Sequence, residues 1–134
     1  MTYERQDITE DFYAGDTKDI EVTIYDQDGQ LKDLANSELT YALIYDDAKN
    51  PYTLFQKTSV GAIEIEITGT GKCVIHLLPG DTFSFNGTFR HQLHLVDENG
   101  YAGIVMSGKV QIFKSFARRS RNSGFEAYLS GTAS

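Results

Sequence analysis

"TFRHQLHLV" (88–96) and "GIVMSGKVQI" (103–112), joined by "DENGYA" (97–102), decide the fold. In the first run Phe89, His91, Leu93 and Leu95 alternate with Arg90, Gln92 and His94. Successive side chains on a strand point to opposite faces, so this alternation gives one dry face and one wet one. The second run sets Ile104, Met106, Val110 and Ile112 in one register, with Gly108 among them. Between the two, Asn99-Gly100 is a strong hairpin signal, because both central positions of a type I′ turn need positive φ. The segment therefore predicts a long antiparallel hairpin.

The same period of two runs outward from it. "DIEVTIY" alternates Ile20, Val22 and Ile24 with Glu21, Thr23 and Tyr25, and "AIEIEIT" alternates Ile63, Ile65 and Ile67 with Glu64, Glu66 and Thr68. "LTYALIYDD" and "KCVIHLL" are apolar on both faces, which suits central strands, and the short "YTLFQK" reads as an edge. Turn signals such as "QDG" at 27, "GTG" at 69, "LPGD" at 78 and "NG" at 86 fall between the runs, and 12 glycines with 2 prolines fit that punctuation. No segment carries a helical pattern; "KDLANSEL" offers a turn or two at most. The expectation is an all-β, immunoglobulin-like antiparallel β-sandwich of seven to eight strands, near 7–13, 19–26, 38–46, 52–57, 62–68, 72–78, 87–96 and 103–114. A two-sheet sandwich hides alternate faces more simply than a closed barrel.

"YDQDGQ" (25–30) echoes "VDENGY" (96–101), and each resembles the start of a calcium loop. An EF-hand needs ligands at positions 1, 3, 5 and 12 with glycine at 6. From Asp26 the glycine comes at the fourth position, and the twelfth is Ser37 rather than glutamate. Both stretches therefore read as hairpin turns, and no metal is expected. The histidines point the same way. His91 and His94 lie three apart, on opposite faces of a strand, and cannot share an ion there. His91 shares the parity of the apolar face and reads as a hydrogen-bonded histidine near the sheet end; His76 could face either way. No nucleophile elbow or phosphate-loop spacing occurs, and Glu64 and Glu66 lie on a wet face, so neither an enzyme nor a cofactor is expected. The tyrosines, Tyr41 and Tyr45 on one face and Tyr25, Tyr52 and Tyr101 at strand ends or turns, read as core and rim.

The length, 134 residues, suggests a single sandwich, and 40% apolar with 23% charged residues is an ordinary globular balance. Cys73 is the sole cysteine, no signal-like start or long apolar run occurs, and folding in a reducing cytoplasm is expected. The net charge of -7 is uneven. Acids crowd the first 28 residues, whereas Lys109, Lys114, Arg118, Arg119 and Arg121 follow one another with no acid between. An acidic surface repels nucleic acid and anionic membranes, so neither is expected as a partner. The chain divides into a sandwich over 1–114 and a C-terminal arm over 115–134, extended or disordered when free. Arg118, Arg119 and Arg121, with Phe125, Tyr128 and Leu129 of "FEAYL", are the candidate partner-binding residues. They suit an arm that adds to a neighbour's exposed sheet edge.

The order of phrases carries a resemblance. "AGDTKDIEVTIYDQDGQLKDL", "LTYALIY" and "GAIEIEITGTGKCVIHLLPGDTFSFNGTFRHQLHLVDENGYAGIVMSGKVQI" together resemble the immunoglobulin-like domains of tailed-phage virion proteins, above all the N-terminal domain of phage baseplate upper proteins. The matching residues are Gly15, Asp16 and Thr17, then Gly29 and Leu34, then Gly61, Ile63 and Ile65, then a corner of Leu77, Pro79, Asp81 and Thr82, and finally Gly87, Phe89 and His91. Phe89 stands where that pattern more often has tyrosine. At the corner, Pro79 ends the strand, Asp81 and Thr82 can bond nearby backbone, and Phe83 and Phe85 would plug the end of the sandwich. The resemblance implies a structural virion protein, made in the host cytoplasm and assembled in several copies with other virion proteins in a tail or baseplate. A capsid-decoration or neck protein, or a carbohydrate-binding β-sandwich module, are the alternatives.

Overall fold

The computed structural model describes residues 4–45, 49, 51–61 and 64–115. Its elements are β1 (Glu4–Arg5), β2 (Lys18–Thr23), β3 (Glu38–Tyr45), β4 (Tyr52–Thr58), β5 (Ile65–Gly69), β6 (Lys72–Leu77), α1 (Pro79–Thr82), β7 (Gly87–Val96) and β8 (Ala102–Ile112). One sheet has the order β1-β8-β7-β3-β4 and the other β2-β6-β5. Strands β3, β4, β7 and β8 thus share one layer while β2, β5 and β6 form the other, with chain crossings between them. That strand order is immunoglobulin-like. The sandwich is all-β apart from the single turn of α1.

The alternating faces meet between the sheets. Ile20, Val22 and Ile24 on one side and Leu39, Tyr41, Leu43, Leu93 and Leu95 on the other are all at most 3% exposed. Each such aliphatic side chain contributes about 1.5–3 kcal/mol by leaving water. The two strands read as central are central: β3 lies between β7 and β4, and β6 between β2 and β5. β4 is an edge, as its short apolar run predicts.

Three expectations change. The first is register. Leu93 pairs with Met106 but His94 pairs with Ile104, so Val105 is an extra residue on β8. This β-bulge turns both Val105 and Met106 into the core and sends Ile104 outward, 42% exposed. The strict alternation put Ile104 inside. The second is the N-terminal segment. It is not a strand over 7–13: β1 is two residues long, followed by single bridges at Ile8 and Tyr13. The third is direction. These contacts with β8 are parallel, so the sandwich is not antiparallel throughout.

Candidate interaction surfaces

The N-terminal segment is a strap laid along β8, and a buried histidine holds it. His91 is fully buried in mid-strand, not near the sheet end as its sequence position suggested. Its Nε2 lies 2.8 Å from the Gln6 carbonyl oxygen, which can only accept, so Nε2 carries the proton. Nδ1 is then the acceptor for the Tyr41 hydroxyl at 3.1 Å. Burial pushes the His91 pKa down, against the Gln6 carbonyl and the Asp7 charge, and keeps the ring neutral. Because the Gln6 carbonyl turns inward, the strap's next acceptor comes from a side chain: the Lys109 N–H donates to Asp7 Oδ1 at 2.8 Å. That bond and Arg5 hold the Asp7 carboxyl below its usual range. Gly108 lies beneath the crossing. A Cβ there would sit 1.7 Å from the Gln6 carbonyl oxygen, so the strap can pass only over a glycine.

The corner after β6 ties the chain together again. The Leu78 N–H donates to Asp81 Oδ2 at 2.6 Å, the local backbone bond that the sequence suggested. The same oxygen lies 2.8 Å from Lys57 Nζ, whose side chain is only 5% exposed. Thr82 does not bond its own backbone through its hydroxyl; Oγ1 accepts the Gly15 N–H at 3.1 Å. Two phrases distant in sequence, "GDT" and "LPGDT", thereby meet. Phe85 packs on Phe55 and Phe89, with centroids 6.4 and 5.8 Å away, and does plug this end. Phe83 does not; it is 48% exposed.

The opposite end carries the two echoing turns, and they share one geometry. Asp26 Oδ1 accepts N–H bonds from Asp28 and Gln30, and Asp97 Oδ1 accepts them from Asn99 and Tyr101. In each the backbone closes from glycine N–H to the aspartate carbonyl, Gly29 to Asp26 and Gly100 to Asp97. Only the glycines take positive φ, 83° and 84°; Asp28 and Asn99 do not. These are three-residue loops in which a turn is followed by a left-handed glycine, not the type I′ turns expected. The aspartates serve as side-chain staples for backbone N–H groups. The turns flank a hollow of about 230 Å³ lined by Asp26, Gln27, Lys32, Asp97, Asn99 and Tyr101. Lys32 Nζ bonds Asp97 Oδ2 at 3.3 Å. Burial raises the Asp97 carboxyl, but the Tyr101 N–H, Lys32 and the Asn99 N–H outweigh it and hold the pKa low.

On the outside of the smaller sheet His76 faces solvent between two carboxylates. Nδ1 lies 2.8 Å from Asp19 Oδ1 and Nε2 lies 3.3 Å from Glu66 Oε1. The Asp19 bond raises its pKa most; burial works against it, and Glu66 adds to the rise, so the pKa stands above its ordinary value. His94 points away from His91, exposed, as the strand parity required. Cys73 is buried, and burial together with the Glu4 charge pushes its thiol up to about 12, far from the range of a reactive cysteine. Among the described tyrosines, Tyr41 alone lies in the core, while Tyr45 and Tyr52 form an exposed pair 5.4 Å apart.

Among the described residues, no strand covers the outer side of β4 or of β5. The edge of β2 is treated differently: Gln6 Nε2 donates to the Glu21 carbonyl at 2.6 Å, and Glu4 Oε1 accepts the Thr23 N–H at 3.4 Å. Strap side chains thus cap that edge; on β4 the terminal Thr58 N–H donates to Glu64 Oε1 at 3.0 Å, and an edge without a partner strand is a template for pairing. The candidate arm residues Arg118, Arg119, Arg121, Phe125, Tyr128 and Leu129 lie outside the described residues. No protein-family model matches the chain. A search of curated proteins returns no match either.

Proposed function

We propose that the chain is a structural protein of a tailed-bacteriophage particle, built into a tail or baseplate in several copies, and that it acts by assembly. The observation that carries this reading is the corner where Gly15 meets Thr82. The phrases "GDT" and "LPGDT", which give the sequence its resemblance to phage immunoglobulin-like domains, are joined there by a buried hydrogen bond. That contact supports reading them as parts of one fold. The open edges of β4 and β5 support the same reading, since each is a template for a strand from a neighbour. In this proposal the arm, residues 115–134, contributes Arg118, Arg119 and Arg121 for an acidic partner surface and Phe125, Tyr128 and Leu129 for an edge.

The test has two parts. Imaging of purified particles is expected to locate the chain at repeated positions in the tail or baseplate; density only on the capsid surface or at the neck would move it to those roles. Deleting 115–134 is expected to leave the melting temperature unchanged and to weaken incorporation into particles. Unaltered incorporation would rule out the arm.

One observation favours a second reading, a carbohydrate-binding module. The Tyr45–Tyr52 pair is 42% and 55% exposed and is backed by Phe89, 6.1 Å from Tyr45. Paired exposed rings, here tilted by 49° to each other, can offer a face to a sugar. Titration of the chain with cell-surface polysaccharide, compared with Tyr52→Ala, separates the readings: saturable binding lost in the variant supports the module, and no binding removes it.

A further inference from the structure

The smaller sheet is closed along one edge and open along the other. At the β2 edge, Gln6 and Glu4 of the strap bond the backbone of Glu21 and Thr23. At the opposite edge, among the described residues, no strand lies outside β5. The core shows the consequence. Ile20, Ile75 and Ile65 form one row across the three strands, and all are at most 3% exposed. Val22, Cys73 and Ile67 form the next inward-facing row; the first two are 1% exposed, but Ile67 is 40% exposed. Cross-strand neighbours share a face, so Ile67 belongs to the core side and lies open where the sheet stops. Charge separates this edge from that of β4. The outer face of the smaller sheet carries Asp19, Glu21 and Glu66, with His76 among them and Lys18 and Lys72 at opposite ends of the paired strands. Strand β4 contains no acid, and its terminal Thr58 N–H already bonds Glu64.

The sequence holds a segment of complementary kind. Phe113 is bonded to Phe12 and Ala14 of the strap, so the chain leaves Ser115 on the strap side, away from β5. Residues 115–134 carry Arg118, Arg119 and Arg121 and a single acidic side chain, Glu126. A segment of that length, fully extended, spans up to about 65 Å, enough to reach another molecule and still supply a strand. We propose that the arm of one copy lies along β5 of the next as a fourth strand of its smaller sheet. Phe125, Ala127 and Leu129, which share one face of a strand, close over Ile67. Arg118, Arg119 and Arg121 meet the carboxylates of the outer face, and Asn122, Ser123 and Gly124 between the two groups let the chain turn. Donor and acceptor stand on opposite sides of the molecule, so each copy gives an arm to one neighbour and takes one from another. Such a heterologous contact repeats, closing into a ring or continuing as a filament according to its rotation. The inference rests on the multi-copy reading above and names the edge and the segment which that reading requires.

The experiment is sedimentation of the full chain over a range of concentration and salt, beside two variants checked for an unchanged melting temperature. Deleting 115–134 removes the donor. Ile67→Lys removes the acceptor, since a lysine on a sheet edge discourages pairing and repels a basic arm. Where Ile67→Lys fails to fold, the exposed change Glu66→Lys takes its place. Wild type is expected to self-associate, more weakly as salt rises. Each variant alone is expected to associate at least about tenfold more weakly. Mixed in equal amounts, the two are expected to form a one-to-one pair, because one still offers β5 and the other still carries an arm. A wild-type chain that stays monomeric throughout, its arm free or folded onto its own edge, overturns the proposal. So does association that survives the deletion or the edge substitution, or a mixture no better than its components. Copies that exchange arms but are absent from particles overturn the virion reading and leave this one; copies found in particles that do not exchange arms do the reverse.

Discussion

His91 and His76 occupy opposite layers of the sandwich and illustrate two ways of using the same side chain. His91 is buried within the larger sheet, neutral, and bonded at both nitrogens to groups from other parts of the chain. His76 lies on the outer face of the smaller sheet between Asp19 and Glu66, with its pKa raised. The first is a structural part: the strap, Gly108 and Tyr41 are all arranged around it. The second is surface chemistry that the fold tolerates. The larger sheet should therefore break sharply when its polar contacts are altered, and the smaller sheet should respond mainly to pH.

The largest effect is expected under the strap. Gly108→Ala would place a methyl against the Gln6 carbonyl, a backbone atom that cannot swing aside. Displacing the strap removes the His91–Gln6 and Lys109–Asp7 bonds and uncovers β8. A loss of more than about 3 kcal/mol is expected in denaturant unfolding. A loss near that of an ordinary surface glycine, about 1 kcal/mol or less, would mean that the strap does not cross as described.

His91→Ala comes next. It leaves the Tyr41 hydroxyl and the Gln6 carbonyl buried without partners and opens a cavity, for about 3 kcal/mol. Tyr41→Phe, which removes one bond and little volume, should cost about 1–2 kcal/mol. Proteolysis should separate these effects. If His91 anchors the strap, His91→Ala exposes the N-terminal segment to cleavage well below the global melting temperature, and Tyr41→Phe does so less. Equal protection in both variants and wild type would reduce His91 to packing.

Asp81→Ala is of similar size for a different reason. Seen from the sequence alone, Asp81 makes a local turn bond worth about 1 kcal/mol. The structure adds Lys57, whose ammonium would be left buried without its carboxylate, and the expected loss rises to about 3 kcal/mol. Lys57→Met with Asp81→Asn should recover part of that loss, since no lone buried charge remains. If the single and double variants unfold at the same denaturant concentration, the ion pair is not what holds the corner.

These sites also mark how far the sequence could be read. The strands were legible because alternation is a local property and each run is long enough to count. The inward position of His91 followed from that same parity. The bulge at Val105 was hidden because Ile104, Val105 and Met106 are all apolar, and a one-residue register change leaves their composition unaltered. The strap was hidden because two residues of strand and two isolated bridges have no period. Lys57 ends the short run "YTLFQK" that reads as an edge, and nothing near it in sequence announces a carboxylate from the corner after β6. The echo of Asp26 and Asp97 was visible, but the choice between a type I′ turn and a left-handed glycine after the turn depends on the φ of Asp28 and Asn99, which "DG" and "NG" do not specify.

The smallest effect tests the contrast of the two histidines most directly, through the sign of a slope. His91 has a folded pKa below the unfolded 6.5, so the unfolded chain takes up a proton first. Its contribution is complete above that value and is lost as pH falls below it toward the folded pKa. His76 has a folded pKa above 6.5, so its contribution is complete below that value and is lost as pH rises through the raised one. The two windows meet at pH 6.5, so the wild-type curve should rise as pH falls to that value and fall below it. His76→Gln removes the rise above pH 6.5 and leaves only the fall below it; at neutral pH it should change stability by less than about 1 kcal/mol, since the contact is exposed. His91→Gln removes the fall below pH 6.5, so stability should rise as pH drops to that value and then level off. Denaturant midpoints on either side of that pH, for wild type and both variants, give the three slopes. Parallel curves would mean that neither ring changes its proton affinity on folding, and the division between a buried histidine that builds the fold and an exposed one that responds to its surroundings would not stand.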